Sequence, residues 1–264
     1  MHTPTVLTIA GFDPYGGAGI IIDTKTIHAM GGYACSVTTA ITAQNSQGVY
    51  GVEVLDATLV ARQLEVLLAD IDFDAIKIGM LGSRAIVERV AEILSGVAHI
   101  PVVLDPVLVS SSGRRLLEAD AIYAMTEQLF PLSQLVTPNL DESNALLGGS
   151  FEGTETMQMA QGLFALGADA VLLKGGHTKE KEACDRLVTS AYTKCHCAKR
   201  IDTSHTHGTG CLLSSAIATG LAEGLPLDES VARAKAFLTQ KLQEASSLVL
   251  PYRTSVLRRK EVIF

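Results

Sequence analysis

Short, largely apolar segments alternate with amphipathic ones along almost the whole chain. Thr5–Ala10, Cys35–Thr39, Ala75–Ile78, Val102–Asp105, Leu135–Pro138 and Ala170–Lys174 are rich in β-branched residues. Runs of this kind belong to strands covered on both faces, as in a parallel sheet between two layers of helices. Between them, Gly19–Met30, Ala57–Leu68, Ser83–Leu94, Thr154–Leu166, Cys211–Glu223 and Leu227–Ser246 place apolar residues every three or four positions, which is the helical period. The alternation predicts an α/β fold of three layers, α/β/α, with a mostly parallel central sheet. Leu187–Tyr192 and Thr193–Ile201 read as an antiparallel pair near the end of that sheet. No linker or internal repeat interrupts the pattern, so residues 1–264 read as one domain. The charged run His177–Glu182 reads as a solvated loop.

Charge narrows the partners. With 21 Lys+Arg against 28 Asp+Glu, the net charge is −7, which argues against binding nucleic acid through bulk charge. No stretch approaches the 18 apolar residues of a membrane span. The start, Met-His-Thr-Pro, has no basic segment followed by a long apolar run, and the expected location is the cytoplasm. Five cysteines (35, 184, 195, 197 and 211) at irregular spacings predict no disulfide framework. At most one or two of them are expected to do chemistry. Cys195-His196-Cys197 has metal-ligand residue types but no second pair at finger spacing, which argues against zinc.

In sheets of this class, ligands bind beyond the carboxyl ends of the strands. After the first strand, Gly11, Gly16, Gly17 and Gly19 fall within nine residues and open a helix. That density suits close approach of the backbone to a ligand. It is neither a dinucleotide fingerprint, since Ile22 stands at the third glycine position, nor a phosphate loop, since Thr24 precedes Lys25-Thr26. Asp23 and Lys25 in the helix, taken alone, read as surface residues. The polar run Thr42–Gly48 contains Gln44 and Asn45. Its amides suit the ring nitrogens and amine of a heterocycle, or a turn that hydrogen-bonds itself.

Three later strand ends carry charge: Lys77, Asp105 before Pro106-Val107, and Lys174 before Gly175-Gly176-His177. Thr137-Pro138-Asn139 with Glu142 ends another. Asp105 and Glu142 offer oxygen ligands suited to Mg²⁺, and Lys174 offers a point charge to phosphate. Helix capping is the competing reading for Asn139 and Asp141, and the preferred one for Asp141. Finally, Thr206-His207-Gly208-Thr209-Gly210-Cys211 leads into an apolar helix. Free amides and the helix dipole make such an end an anion site. A helix N-terminus also lowers a thiol pKa, so Cys211 is expected to favour its thiolate.

These motifs together resemble the hydroxymethylpyrimidine/phosphomethylpyrimidine kinases of thiamine biosynthesis, members of the ribokinase-like superfamily. The resemblance runs from Ile9-Ala-Gly-Phe-Asp-Pro-Tyr-Gly-Gly-Ala-Gly-Ile to the last long helix. Its specific parts are Gly16-Gly-Ala-Gly-Ile with Asp23, Thr42-Ala-Gln-Asn-Ser-Gln-Gly, Lys77-Ile-Gly-Met-Leu-Gly, Asp105-Pro-Val, Thr137-Pro-Asn with Glu142, Leu173-Lys-Gly-Gly-His and His207-Gly-Thr-Gly-Cys. It implies a kinase that uses ATP and Mg²⁺. It implies that Gly11, Asp23, Gln44, Met80 and Val107 bind a pyrimidine substrate, and that Asn139, Lys174 and Thr206 bind ATP. Asp105 and Glu142 would hold Mg²⁺. Gly208, Thr209 and Gly210 would hold the transferring phosphoryl group, with Cys211 as general base. A homodimer is also implied. The chain departs from the family pattern at Phe12, Tyr15, Ile21-Ile22 and Ser110-Ser111-Ser112, which bears on substrate choice. A pyridoxine or pyridoxal kinase of the same fold is the alternative, and a non-catalytic heterocycle-binding regulator is a second.

Overall fold

Nine strands form one sheet in the order β3-β2-β1-β4-β5-β6-β7-β8-β9. The computed structural model describes residues 2–110, 113–175, 181–245 and 261–264. The strands are β1 Thr5–Phe12, β2 Tyr33–Asn45, β3 Gly48–Val54, β4 Ala75–Ile78, β5 Val102–Leu104, β6 Leu135–Val136, β7 Val171–Leu173, β8 Glu182–Val188 and β9 Thr193–Lys199. The helices are α1 Gly19–Ala29, α2 Ala57–Leu68, α3 Arg84–Ser95, α4 Ala119–Gln128, α5 Leu140–Leu147, α6 Thr156–Ala165, α7 Thr209–Ala222 and α8 Leu227–Ala245. The pairs from β2 through β7 are parallel. Antiparallel β3 flanks one side, and antiparallel β8 and β9 flank the other.

The pleat sorts the strand residues into two cores. Leu7, Ile9, Ile76, Ile78 and Leu104 meet Val60, Leu64, Val87, Val90, Met125 and Leu163 of α2, α3, α4 and α6. Val6, Ala75, Val103 and Leu172 meet Ile22, Ile27, Leu212, Ile217 and Val231 of α1, α7 and α8. Truncating one such buried side chain to Ala costs about 2–5 kcal/mol. The chain leaves β1 for α1 on one face and β4 for α3 on the other. Neighbouring strands whose connections part in this way open a crevice at their carboxyl ends.

The predicted strands and helices form, with shifted ends, and the expected three-layer α/β/α class holds. Three differences are informative. First, β2 continues through the polar run to Asn45 and turns into β3; β3 and α4 were not anticipated, and of α5 only a cap was. Second, Asn139, not Asp141, caps α5. Asn139 Oδ1 accepts from Glu142 N at 2.8 Å, and Glu142 Oε2 accepts from Asn139 N at 2.8 Å, a reciprocal capping box. Third, the expectation of no disulfide framework is corrected to one cross-strand bridge. Cys184 and Cys197 face each other in the β8–β9 register and are disulfide-bonded. The antiparallel pairing that joins them comes from residues thirteen apart, a relation that spacing alone does not reveal. Glu182 begins β8 instead of ending a loop. Ser111-Ser112, residues 176–180 with most of the charged run, and Ser246 at the predicted helix end lie outside the described residues.

Candidate active site

The carboxyl ends of β1, β4, β5, β6 and β7 and the start of α7 surround one cavity of about 820 Å³. Every residue singled out from the sequence as a site residue lines it except Asp23. The site therefore follows from topology: parallel strands deliver their following residues to one edge of the sheet.

At the centre, Lys174 Nζ donates to Asp105 Oδ1 at 2.8 Å and lies 3.5 Å from Glu142 Oε2. Thr137 Oγ1 and Ser214 Oγ also donate to the Asp105 carboxylate. Burial would raise the Asp105 pKa, but Lys174 and Lys77 hold it below the ordinary carboxylate value. Burial pushes Glu142 upward, against the pull of Lys174. Burial also opposes the charge on Lys174, yet the two carboxylates raise its pKa. Two buried carboxylates from different strand ends thus converge on one ammonium. A Cβ at Gly210 would lie 3.4 Å from Lys174 Nζ and 3.6 Å from Asp105 Oδ2, so the missing side chain keeps this spot open. An all-oxygen pair beside a buried ammonium is a donor set that fits Mg²⁺.

Gly208, the N-cap residue just before α7, has φ +82° and gives no side-chain cap. A Cβ there would lie 1.7 Å from the Gly17 carbonyl oxygen. The glycine-rich loop and the start of α7 therefore meet backbone to backbone, and the first turn of α7 lines the cavity, the kind of helix start that suits an anion. Cys211 follows in that turn, part of its surface open to the cavity. The expected thiolate is corrected. Burial pushes the Cys211 thiol up to about 11, outweighing Lys77 and the Gly19 N–H, which favour the thiolate.

Asp23 is the sequence-predicted substrate residue that the structure places elsewhere. It is fully buried, and its carboxylate accepts from Lys77 Nζ at 2.8 and 2.9 Å, Thr8 Oγ1 at 2.6 Å and Ser215 Oγ at 2.7 Å. Lys77 lies in the four-residue strand Ala75-Ile-Lys-Ile, where the pleat turns it toward α1 and α7. A lysine inside a buried strand requires a counter-charge, and that signal was present in the sequence.

Gly11, Phe12, Gln44, Met80 and Val107 form one end of the cavity. The β2–β3 register shifts between Ala43 and Gln44, a bulge of the kind that re-aims side chains beside sites. Asp13 holds the glycine-rich loop. Its Oδ1 accepts from Tyr15 N at 2.9 Å, and its Oδ2 accepts from Gly17 N at 3.1 Å, Ala18 N at 2.9 Å and His207 Nε2 at 2.9 Å. Burial would raise the Asp13 pKa, but His207 and the amides bring it below the usual value. The opposite end is lined by Asp185, Lys199, Arg200, Lys235, Leu238 and others from β8, β9 and α8. Lys235 Nζ lies 2.7 Å from Asp185 Oδ2, and Asp185 Oδ1 accepts from Gly175 N. Sequence reading missed this end, because the antiparallel strands β8 and β9 and an amphipathic helix carry no local motif.

Comparison with known proteins agrees with the geometry. Residues 13–251 match the family model described as phosphomethylpyrimidine kinase. A hydroxymethylpyrimidine/phosphomethylpyrimidine kinase of Rhizobium meliloti is 45% identical over 250 residues, covering 93% of each chain. The crystal structure of a phosphomethylpyrimidine kinase from Clostridium difficile superposes with a TM-score of 0.79 at 38% identity, covering 90% of this chain and 99% of the other. A pyridoxal kinase of Bacillus subtilis, solved as an ADP complex, gives a TM-score of 0.86 at 33% identity over 98% of both chains. With its ribokinase-like sheet and the motifs converging at one edge, the chain belongs to the phosphomethylpyrimidine kinase family.

Proposed function

We propose that the protein transfers the γ-phosphoryl group of ATP to 4-amino-5-hydroxymethyl-2-methylpyrimidine, and then to its monophosphate, in thiamine biosynthesis. The observation that carries this is the convergence of Lys174, Asp105, Glu142, the α7 amides and Cys211 on the cavity end that borders Gln44, Met80 and Val107. Phosphoryl transfer asks mainly for positioning and charge neutralisation, and those groups supply both. The pyrimidine lies against Gly11, Met80 and Val107 with Gln44 at its ring edge. The phosphates of ATP meet Lys174, Asn139 and Thr206. Amides of Gly208, Thr209, Gly210 and Cys211 hold the transferring group, and Cys211 in its thiolate form accepts the hydroxyl proton as that oxygen becomes bonded to phosphorus and ADP leaves. Asp105 and Glu142 would hold Mg²⁺, which when bound would neutralise phosphate charge. Asp23 supports this floor from below through Lys77. The reading takes residues 1–264 as one domain, acting in the cytoplasm as a homodimer.

The likeness to a pyridoxal kinase favours a second substrate class for the same site. ATP-dependent transfer measured side by side on the hydroxymethylpyrimidine, its monophosphate and pyridoxal tests both. Turnover of the two pyrimidines at higher kcat/KM than pyridoxal is the expected result. Turnover of pyridoxal alone supports the second reading, and no turnover of any of them overturns both.

A further inference from the structure

His207 belongs to none of the roles assigned so far, yet its ring nitrogen Nε2 touches the glycine-rich loop and strand β2 at once. It lies 2.9 Å from Asp13 Oδ2 and 3.1 Å from Gln44 Nε2. Its ring is buried and packs beside Tyr15, with centroids 5.7 Å apart. The Asp13 carboxylate accepts three backbone N–H groups besides. A carboxylate so held is ionised and can only accept. The 2.9 Å contact therefore requires a hydrogen on His207 Nε2. A nitrogen carrying that hydrogen cannot also accept from the Gln44 amide nitrogen. The oxygen and nitrogen of a carboxamide exchange places by a half-turn of its last torsion. The arrangement consistent with both contacts shares the single His207 Nε2–H between Asp13 Oδ2 and Gln44 Oε1 as a bifurcated bond and turns the Gln44 NH₂ away from it.

We infer that His207 is a specificity-determining positioning residue: its Nε2–H, oriented by Asp13, fixes the Gln44 amide so that an N–H donor meets the ring of the substrate. The site then selects a heterocycle that presents a bare ring nitrogen at this edge and rejects one that presents a C–H or N–H. This rests on the reading above, in which Gln44 faces the ring. Gln44 and His207 lie 163 residues apart in the sequence, so no local pattern reports the pairing.

The test compares the aminopyrimidine with an analogue in which C–H replaces the ring nitrogen beside the amine. The KM of each is measured in wild type, His207→Leu, His207→Gln and Gln44→Glu. Wild type is expected to favour the nitrogen compound by roughly tenfold in KM, the size of one hydrogen bond. In His207→Leu that preference falls to about one while the KM for ATP stays unchanged. His207→Gln restores it, because a glutamine amide nitrogen can donate where Nε2 did. Gln44→Glu, which keeps an acceptor for His207 but offers no donor to the ring, loses it without disturbing the His207 ring. Full preference retained in folded His207→Leu overturns the inference, and so does failure of folded His207→Gln to restore it. Equal KM values for the two compounds in wild type overturn the placement of Gln44 at the ring, and the inference with it.

Discussion

Lys77 Nζ lies 2.8 Å from Asp23 Oδ2, and neither side chain reaches solvent. The pair ties β4 to α1, with Ser215 of α7 bonded to the same carboxylate. Removing one partner strands a buried charge. Lys77→Met is expected to destabilise by about 3–5 kcal/mol, whereas Lys77→Met with Asp23→Leu recovers much of the loss. Urea unfolding of the single and double variants checks this, and equal losses in both would refute it.

Lys174 carries a different burden, because its partners also face the cavity. Lys174→Ala is expected to lower kcat by roughly 10²–10³-fold, the scale of losing one stabiliser of transition-state charge. Steady-state kinetics at saturating ATP measure it. A change confined to the KM for pyrimidine would contradict the placement of Lys174 at the phosphates.

Cys211 gives the pH profile a direction. With the free thiol held near 11 by burial, the thiolate fraction grows as pH rises through the neutral range toward that value. A thiolate base therefore predicts kcat/KM rising with pH. Cys211→Ala is expected to lose about 10²-fold at neutral pH and to flatten the rise. A Cys211→Ala profile parallel to that of wild type would end the base assignment. So would a phosphorylated Cys211 detected by mass spectrometry during turnover.

Asp13 links acidity to stability through a pKa shift in the opposite direction. Its folded pKa is lowered below 3.8, because His207 and the loop amides outweigh burial. Its contribution is present above 3.8 and disappears as pH falls through the lower folded value. Asp13→Asn is expected to be less stable than wild type at neutral pH and less sensitive to acid below pH 3.8. Chemical unfolding across that range compares the two slopes.

The Cys184–Cys197 bridge closes a short loop of chain. On the chain-entropy account, a closure of this length stabilises by about 3 kcal/mol. Thermal unfolding with and without reductant is expected to show a lower Tm for the reduced protein. Cys184→Ser should remove the dependence on reductant, and persistence of that dependence in Cys184→Ser would assign it elsewhere.

How much could be read beforehand varies with how local each signal is. Strands such as Ala75–Ile78 announce themselves by apolar run, and the ends of parallel strands carry Asp105, Asn139 and Lys174 as adjacent residues. Topology then does the gathering. β3 was hidden because its partner segment, Thr42–Asn45, is polar and looks like a loop until it is paired. The Asp23–Lys77, Asp13–His207 and Asp185–Lys235 contacts join residues 54, 194 and 50 positions apart. Periodicity reports a face and not the partner across it. The Cys211 thiol went the other way for a similar reason. Its place at a helix start was legible, but the burial that reverses the expected shift is a property of the folded floor.

The meeting of Gly208 with the carbonyl of Gly17 has a consequence for how such a site changes over generations. Two loops in backbone contact leave no slack for a side chain at position 208, where a Cβ would overlap the facing oxygen. Remodelling the pocket for another ring must then spare this seam and work through side chains on the cavity wall, such as Phe12, Gln44, Met80 and Val107. A library varied at those four positions explores new substrates while the transfer machinery stays in register. One varied at Gly208 mostly samples proteins that no longer assemble the site.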